Sequence, residues 1–230
     1  AGYFWTCVQS DIGTGSAVSA SMSYARPFID KSCLIGKSLR EVAKGAKSWN
    51  LIEATIGMAA INAYYNTPDV AQQNGVRILG KNEKEDRLND PYIAYQNAVR
   101  GKKVAGLGHA DYLSTLMGSI CDLTLIGDDG SGGYPFDAAD FLLPQQDYVY
   151  LPCTAFATKH IQHWLDLSRN SRVIICGPSL PMAPALFDFG IYDLSGFIVR
   201  NEALALRIAA SGENESFFAS GEKVSLRADL

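Results

Sequence analysis

The hydrophobic pattern changes period part-way along the chain. Phe4 to Ser10 and Ala17 to Met22 read as two strands around Gly13-Thr14-Gly15, a glycine-rich turn able to supply positive φ, so a hairpin is predicted at the start. From Ser38 the period becomes helical: Ser38 and Glu41 have the spacing of a capping box, and Leu39, Val42, Ala43 and Ala46 share one face. A second helix is predicted from Leu51 to about Tyr65, following Asn50 and stopped by Thr67-Pro68-Asp69. Its face of Ile52, Ile56, Ala59, Ala60 and Ala63 is built mostly of small side chains, which permits close packing. Glu53 reads as a solvated surface residue of that helix. Asn62 lies on the small-residue side, where a buried amide needs partners in the fold or in a cleft.

Residues 69 to 89 are polar and poorly periodic, with Asn82-Glu83-Lys84-Glu85-Asp86-Arg87 in sequence, and predict a linker between a first unit, 1–88, and a second, 89–230. Beyond it short β-rich runs alternate with helical ones. Lys103–Leu107 precedes Tyr112–Ile120; Leu123–Ile126 follows; Tyr148–Leu151 precedes Ala155–Leu167; Val173–Cys176 precedes Pro184–Phe189; Gly196–Val199 precedes Glu202–Ala210. Five strands separated by crossover segments predict a parallel sheet with right-handed connections, and so an α/β fold.

Composition narrows the function. A formal net charge of -4 with no basic stripe gives a nucleic-acid backbone no electrostatic footprint. No apolar run is long enough for a membrane span, and Ala1-Gly2-Tyr3-Phe4-Trp5 lacks the order of a signal peptide, so a cytoplasmic protein is expected. The missing initiator Met leads us to expect further residues before Ala1. The five cysteines are scattered and never set as C-x-x-C, which points to reduced thiols. A homo-oligomer is admitted but not required.

In open parallel sheets ligands bind beyond the carboxyl ends of the strands. Those ends carry Gly106-Leu107-Gly108-His109-Ala110-Asp111, Gly127-Asp128-Asp129-Gly130, Pro152-Cys153-Thr154, Gly177-Pro178-Ser179 and Arg200-Asn201-Glu202. Gly106-x-Gly108 with Asp128 some twenty residues on imitates the dinucleotide fingerprint, and an enzyme using a nucleotide-type cofactor at this turn is the alternative reading. Asp111, however, holds the third glycine position, where a carboxylate repels pyrophosphate and serves better as a helix cap. His109, Cys153 and Cys176 are ligands suited to a transition metal ion, gathered from three strand ends; the competing reading makes both cysteines small buried hydrophobes. His160 and His163, three apart, could share one helical face. Ser179 follows a proline with no nucleophile elbow around it, so acyl-transfer chemistry has no support.

Several strings taken together resemble a known family: Trp5-Thr6-x-Val8, Gly36-x-Ser38-Leu39-Arg40-Glu41, Ser48-Trp49-Asn50, Gly57-Met58-Ala59-Ala60-Ile61-Asn62-Ala63, Gly177-Pro178-Ser179-x-Pro181 and Leu194-Ser195-Gly196. They are similar to the heavy-metal chelation proteins of unknown function, which pair an enolase N-terminal-like α+β domain with a Rossmann-like domain. The resemblance spans nearly the whole chain. It implies a small ligand or metal ion held between the two domains, with Asn62, Gly108, Gly177, Pro178 and Ser179 matching strings that would line the cleft; Thr154, Asn201, His109 and Asp128 join them as strand-end candidates. The chain departs from the family in having Gly127 before Asp128 where an acidic residue commonly ends the second Rossmann strand. It departs again in having Pro152-Cys153 where Thr-Gly is common, and Thr158 where an Asn is common nearby.

Overall fold

The structure is a computed structural model that describes residues 4–19, 33–78, 89–108, 110–127, 133–211 and 216–228. The hairpin is formed by β1 (Trp5–Ser10) and β2 (Gly13–Val18), joined through Asp11-Ile12. Gly13-Thr14-Gly15 therefore does not make the turn; it begins the second strand. The physical reason is close approach: a Cβ on Gly15 would lie 2.0 Å from Ala63 N and 2.2 Å from Ala59 O. The helix α2 (Leu51–Tyr65) crosses directly over that backbone, with Ala54, Ala59, Ala60 and Ala63 buried.

Before it, α1 (Leu39–Ala43) starts at Ser38 with the expected capping box, Glu41 N donating to Ser38 Oγ and Ser38 N to Glu41 Oε2. The Ser38 hydroxyl, donating to Glu41 Oε2 at 2.7 Å, and then Ser38 N hold the Glu41 carboxyl below its ordinary range. The chain then tightens into a 3-10 turn, Lys44–Lys47. Glu53 is not a solvated residue: it is 8% exposed, and Ser48 Oγ donates to its Oε2 at 2.7 Å. Within the expected linker, α3 (Pro68–Gln73) follows α2 directly and Arg77 forms a bridge with Ser225.

The second unit is built on a six-stranded sheet in the order β4-β3-β5-β6-β7-β8, where β3 is Lys103–Leu107, β4 Asp122–Ile126, β5 Tyr148–Pro152, β6 Arg172–Cys176, β7 Ile191–Val199 and β8 Gly221–Arg227. The five expected strands are parallel, and β8 adds an antiparallel edge. Alternation divides the core between the two faces. Ala105, Leu107, Val149, Leu151, Val173 and Ile175 fill one; Val104, Tyr148, Tyr150, Ile174 and Cys176 fill the other. The second face is covered by α4 (Pro91–Ala94), which contributes Tyr92, and by α5 (Ala110–Met117), which contributes Leu113.

The expected helix over Ala155–Leu167 is two helices, α7 (Ala155–Thr158) and α8 (Ile161–Leu167), after a short α6 (Ala139–Leu142). The break falls at Lys159, held at φ 69°, whose Nζ donates to Ala46 O of the first unit. Pro184–Phe189 is a 3-10 helix, and α9 (Glu202–Ser211) follows β7. Among the described residues no helix is long and apolar enough to cross a membrane.

Candidate functional site

The direction of the chain across the sheet reverses between β3 and β5, because β4 lies on one side of β3 and β5, β6 and β7 lie on the other. The crevice that such a reversal opens is flanked by Gly108 after β3 and by Thr154 after β5. Gly108 has φ +71°, and a Cβ there would meet nothing within 4 Å. Thr154 is the residue before α7. Gly106 needs no cofactor to explain it: a Cβ would stand 2.2 Å from Leu113 Cδ1, so this glycine admits the side chain of α5. His109 and Asp128, and with Asp128 its neighbour Asp129, lie outside the described residues.

The hairpin and α2 pack over the carboxyl end of the sheet, and the seam between the units is polar. Asn62 Nδ2 donates to Ser16 O at 2.8 Å, Val18 N donates to Ser179 Oγ at 2.7 Å, and Ser16 Oγ reaches Pro178 O at 3.5 Å. Asn66, one turn beyond Asn62, makes three further bonds, from Nδ2 to Leu180 O (2.9 Å) and Phe197 O (3.1 Å) and from Met182 N to its Oδ1 (2.9 Å). The structure thus brings Asn62 and the Gly177-Pro178-Ser179 turn together through β2. Asn201 is not in this network. β7 runs four residues past the Ser195 level that pairs with Cys176, and Asn201 sits beyond its end with Oδ1 accepting from Leu204 N at 3.0 Å, a cap on α9.

The two thiols lie at the same strand ends but face opposite ways. Cys153 packs in the core of one face, and its Sγ accepts from Ser179 N at 3.4 Å. Cys176 packs on the other face, 2.8 Å from Tyr92 Oη. Burial raises both thiol pKa values, that of Cys176 to about 12. Both are therefore thiols rather than thiolates at neutral pH, and coordination requires the thiolate. Among the described residues no three His, Cys, Asp or Glu side chains converge on a metal-sized site. The residues in view do not fit a resident soft-metal ion. The histidines are engaged separately: His160 stacks on Trp164 with ring centroids 5.0 Å apart, while His163 Nε2 lies 2.6 Å from Asp140 Oδ1.

A second polar cluster on the α4 face carried no signal in the sequence reading. Asp90 Oδ2 accepts from Lys223 Nζ (2.8 Å) and Tyr112 Oη (3.0 Å), while its Oδ1 caps α4 at Tyr92 N. Asp193 Oδ2 accepts from Tyr95 Oη (2.6 Å) and Arg227 Nε (3.1 Å). Burial raises the Asp193 carboxyl above the ordinary aspartate range, although both donors oppose the shift. These groups fasten α4 and β8 to the sheet. An open groove of about 1020 Å³ beside β1, walled by Val8, Ile12, Leu34, Ile35 and Val42, touches none of the site residues expected from the sequence.

A hairpin-and-helix unit seated on the carboxyl end of a Rossmann-like sheet defines the class of protein. The chain matches the DUF364 family model, described as "Putative heavy-metal chelation", over residues 91–227, and the DUF4213 model, which carries the same description, over residues 1–65. It belongs to the DUF364 family. A DUF364 protein with unknown function from Desulfitobacterium hafniense has a crystal structure similar to this one, with a TM-score of 0.87 and 40% identity over 97% of this chain and 88% of that one. A second, from Pyrococcus horikoshii, has a TM-score of 0.73 at 19% identity over 98% and 89%, and shares the fold. An uncharacterized protein of Methanocaldococcus jannaschii is 29% identical over 173 residues, a match that takes in 70% of this chain and 60% of that protein's length.

Proposed function

We propose that the protein binds a small polar ligand, or a metal already held in a complex, in the cleft between a first unit (1–88) and a Rossmann-like unit (89–230). The family description of heavy-metal chelation agrees with a metal-handling role. The observation that carries the reading is Asn62: it is 0% exposed, and its Oδ1 finds no partner among the described residues. A buried amide oxygen without a donor is destabilising by about 1–3 kcal/mol, and a ligand that donates a hydrogen bond at the seam would relieve that cost. Gly108 and Thr154 would border the same cleft at the chain-reversal crevice. A bare soft ion would have to draw on His109 with Cys153 or Cys176, whose thiols must first lose the protons that burial holds on them.

Untagged protein should be submitted to native mass spectrometry and elemental analysis, followed by melting in the presence of the recovered species. A co-purified small molecule or metal complex that raises the melting temperature in proportion to its concentration, and does so less in Asn62→Ala, supports the reading. Recovery of a bare ion whose binding disappears in Cys153→Ser or Cys176→Ser would replace it with direct chelation. Recovery of nothing, with no response to added metal or small molecules, would refute it.

A further inference from the structure

We infer that Lys159 is a one-residue hinge between the two units: residues 154–167 form a broken helix while the first unit is seated, and one continuous helix when Lys159 is released. The sequence pattern predicts one helix over Ala155–Leu167, and the backbone departs from it at a single position. Thr154 has φ -63° and ψ -19°, His160 has φ -82° and ψ -15°, and both are right-handed. Lys159 between them is left-handed, at φ 69° and ψ 12°. It is the one non-glycine residue with positive φ among the described residues. Glycine is the usual occupant of a left-handed position at a helix end, whereas lysine is a good former of right-handed helix. A contact from outside the segment must therefore hold Lys159 in this conformation.

That contact comes from the first unit. Lys159 Nζ donates to Ala46 O, its sole hydrogen-bond partner among the described residues, and Ala46 belongs to the 3-10 turn Lys44–Lys47. The turn is itself pressed against α2, since a Cβ on Gly57 would stand 2.0 Å from Ala46 N. The two halves of the broken helix pack on different bodies. Ala157 of α7 is buried with Ala54, Met58 and Ala59 of α2, whereas Trp164 of α8 is buried in the core of the sheet, with Leu165 and Leu167 packed against that core. Displacement of one unit against the other is therefore taken up at the joint between α7 and α8. The break also leaves donors open: the N–H groups of His160, Ile161, Gln162 and His163 have no backbone partner among the described residues. In a continuous helix they would donate to the carbonyls of Phe156, Ala157, Thr158 and Lys159, four residues back in each case. Rotating Lys159 into the right-handed region gains those bonds and loses the packing of α7 on α2, and the bond to Ala46 O tips the balance toward the break. With α8 fixed by Trp164, α7 is the half that swings, and it takes with it Thr154 beside the crevice.

The test is residue-resolved hydrogen exchange on the full chain, comparing the wild type with Lys159→Ala, Lys159→Met, Lys159→Gly and Lys159→Arg. Ala and Met favour right-handed helix and lack the donor, so in those variants the amides of residues 160–163 should exchange about threefold or more slowly than in the wild type. Glycine adopts the left-handed conformation freely and arginine keeps a donor, so both should leave those amides at the wild-type rate. Met also keeps an apolar stem where that of Lys159 lies, which covers the case in which the Ala variant alone does not fold. A merely structural bond predicts the opposite sign, and faster exchange at 160–163 or unfolding in both the Ala and Met variants overturns the hinge. An unchanged rate in those two overturns it as well, as does new protection in Lys159→Gly or failure of that variant to fold. The readout does not depend on any ligand, so its failure would leave the proposed binding function standing.

Discussion

Asn66 offers the sharpest test of how the two units are held. Its side chain satisfies Leu180 O, Phe197 O and Met182 N, three backbone groups from two segments of the second unit, at 2.9 to 3.1 Å. Asn66→Ala leaves all three without a partner in a buried place. At about 1–3 kcal/mol for each buried group left unsatisfied, and allowing for partial relaxation and water entry, the expected loss is about 4 kcal/mol. In a chain of 230 residues that lowers the melting temperature by roughly 8–16 °C. Asn74→Ala is the control, because it removes a single bond of 3.3 Å to Met182 O from a partly buried position and should reduce stability by about 1 kcal/mol or less. Urea unfolding followed by circular dichroism, with calorimetric melting alongside, measures both. If Asn66→Ala falls within about 1 kcal/mol of the wild type, matching the control, then the triple contact does not fasten the seam and the reasoning fails.

Two further outcomes follow from the buried titratable groups. In native protein Cys33, which is exposed, should react with Ellman's reagent, while Cys153 and Cys176 should react only after denaturation, as located by peptide mapping; native modification of either buried thiol would contradict their assigned packing. Burial raises the Asp193 carboxyl above its ordinary 3.8, so the native state holds that proton more tightly than the unfolded chain does. The associated stability is complete below the unfolded value and is lost as pH rises through the native one. Asp193→Asn should therefore gain on the wild type as pH rises from about 4 in urea titrations, and a constant gap would argue against the shift.

The parallel strands were legible because strands covered on both faces are nearly continuous apolar runs, and those over 103–107, 123–126, 148–151 and 173–176 end in glycine or polar residues. β8 was not: Gly221-Glu222-Lys223 opens it with polar groups that an edge strand can carry, since Glu222 meets Arg200 and Lys223 meets Asp90. The glycines of β2 misled the reading because a turn and a close helix crossing demand the same residue. Glu53 misled it because its partner Ser48 lies across a loop rather than a helical turn. At the site, Asn62 and the 177–179 turn could be singled out by polarity against small or apolar neighbours. Asn66 could not, as an Asn at the end of a helix is sufficiently explained as a terminator. Nor could Tyr92 with Cys176, 84 positions apart and joined only by the fold.

The geometry of the 177–179 turn bears on what kind of chemistry the seam can perform. A Cβ on Gly177 would stand 2.4 Å from Cys153 Sγ, so the thiol occupies the space that a side chain at 177 would need. The same sulfur accepts from Ser179 N, Ser179 Oγ in turn accepts from Val18 N, and Asn66 anchors the chain just beyond at Leu180 and Met182. The turn is thus fixed from below by sulfur, from above by β2 and from its far side by an amide. A turn held by that many constraints is rigid, and the Ser179 hydroxyl is fully engaged between Val18 N and the Cys153 sulfur. It also means that Cys153 acts through packing and a weak acceptor role, and that drawing its sulfur onto a metal would release the turn that places Ser179. On the reading proposed above, recognition at the seam would fall to the Asn62 amide oxygen and the Thr14 hydroxyl, which have no partner among the described residues.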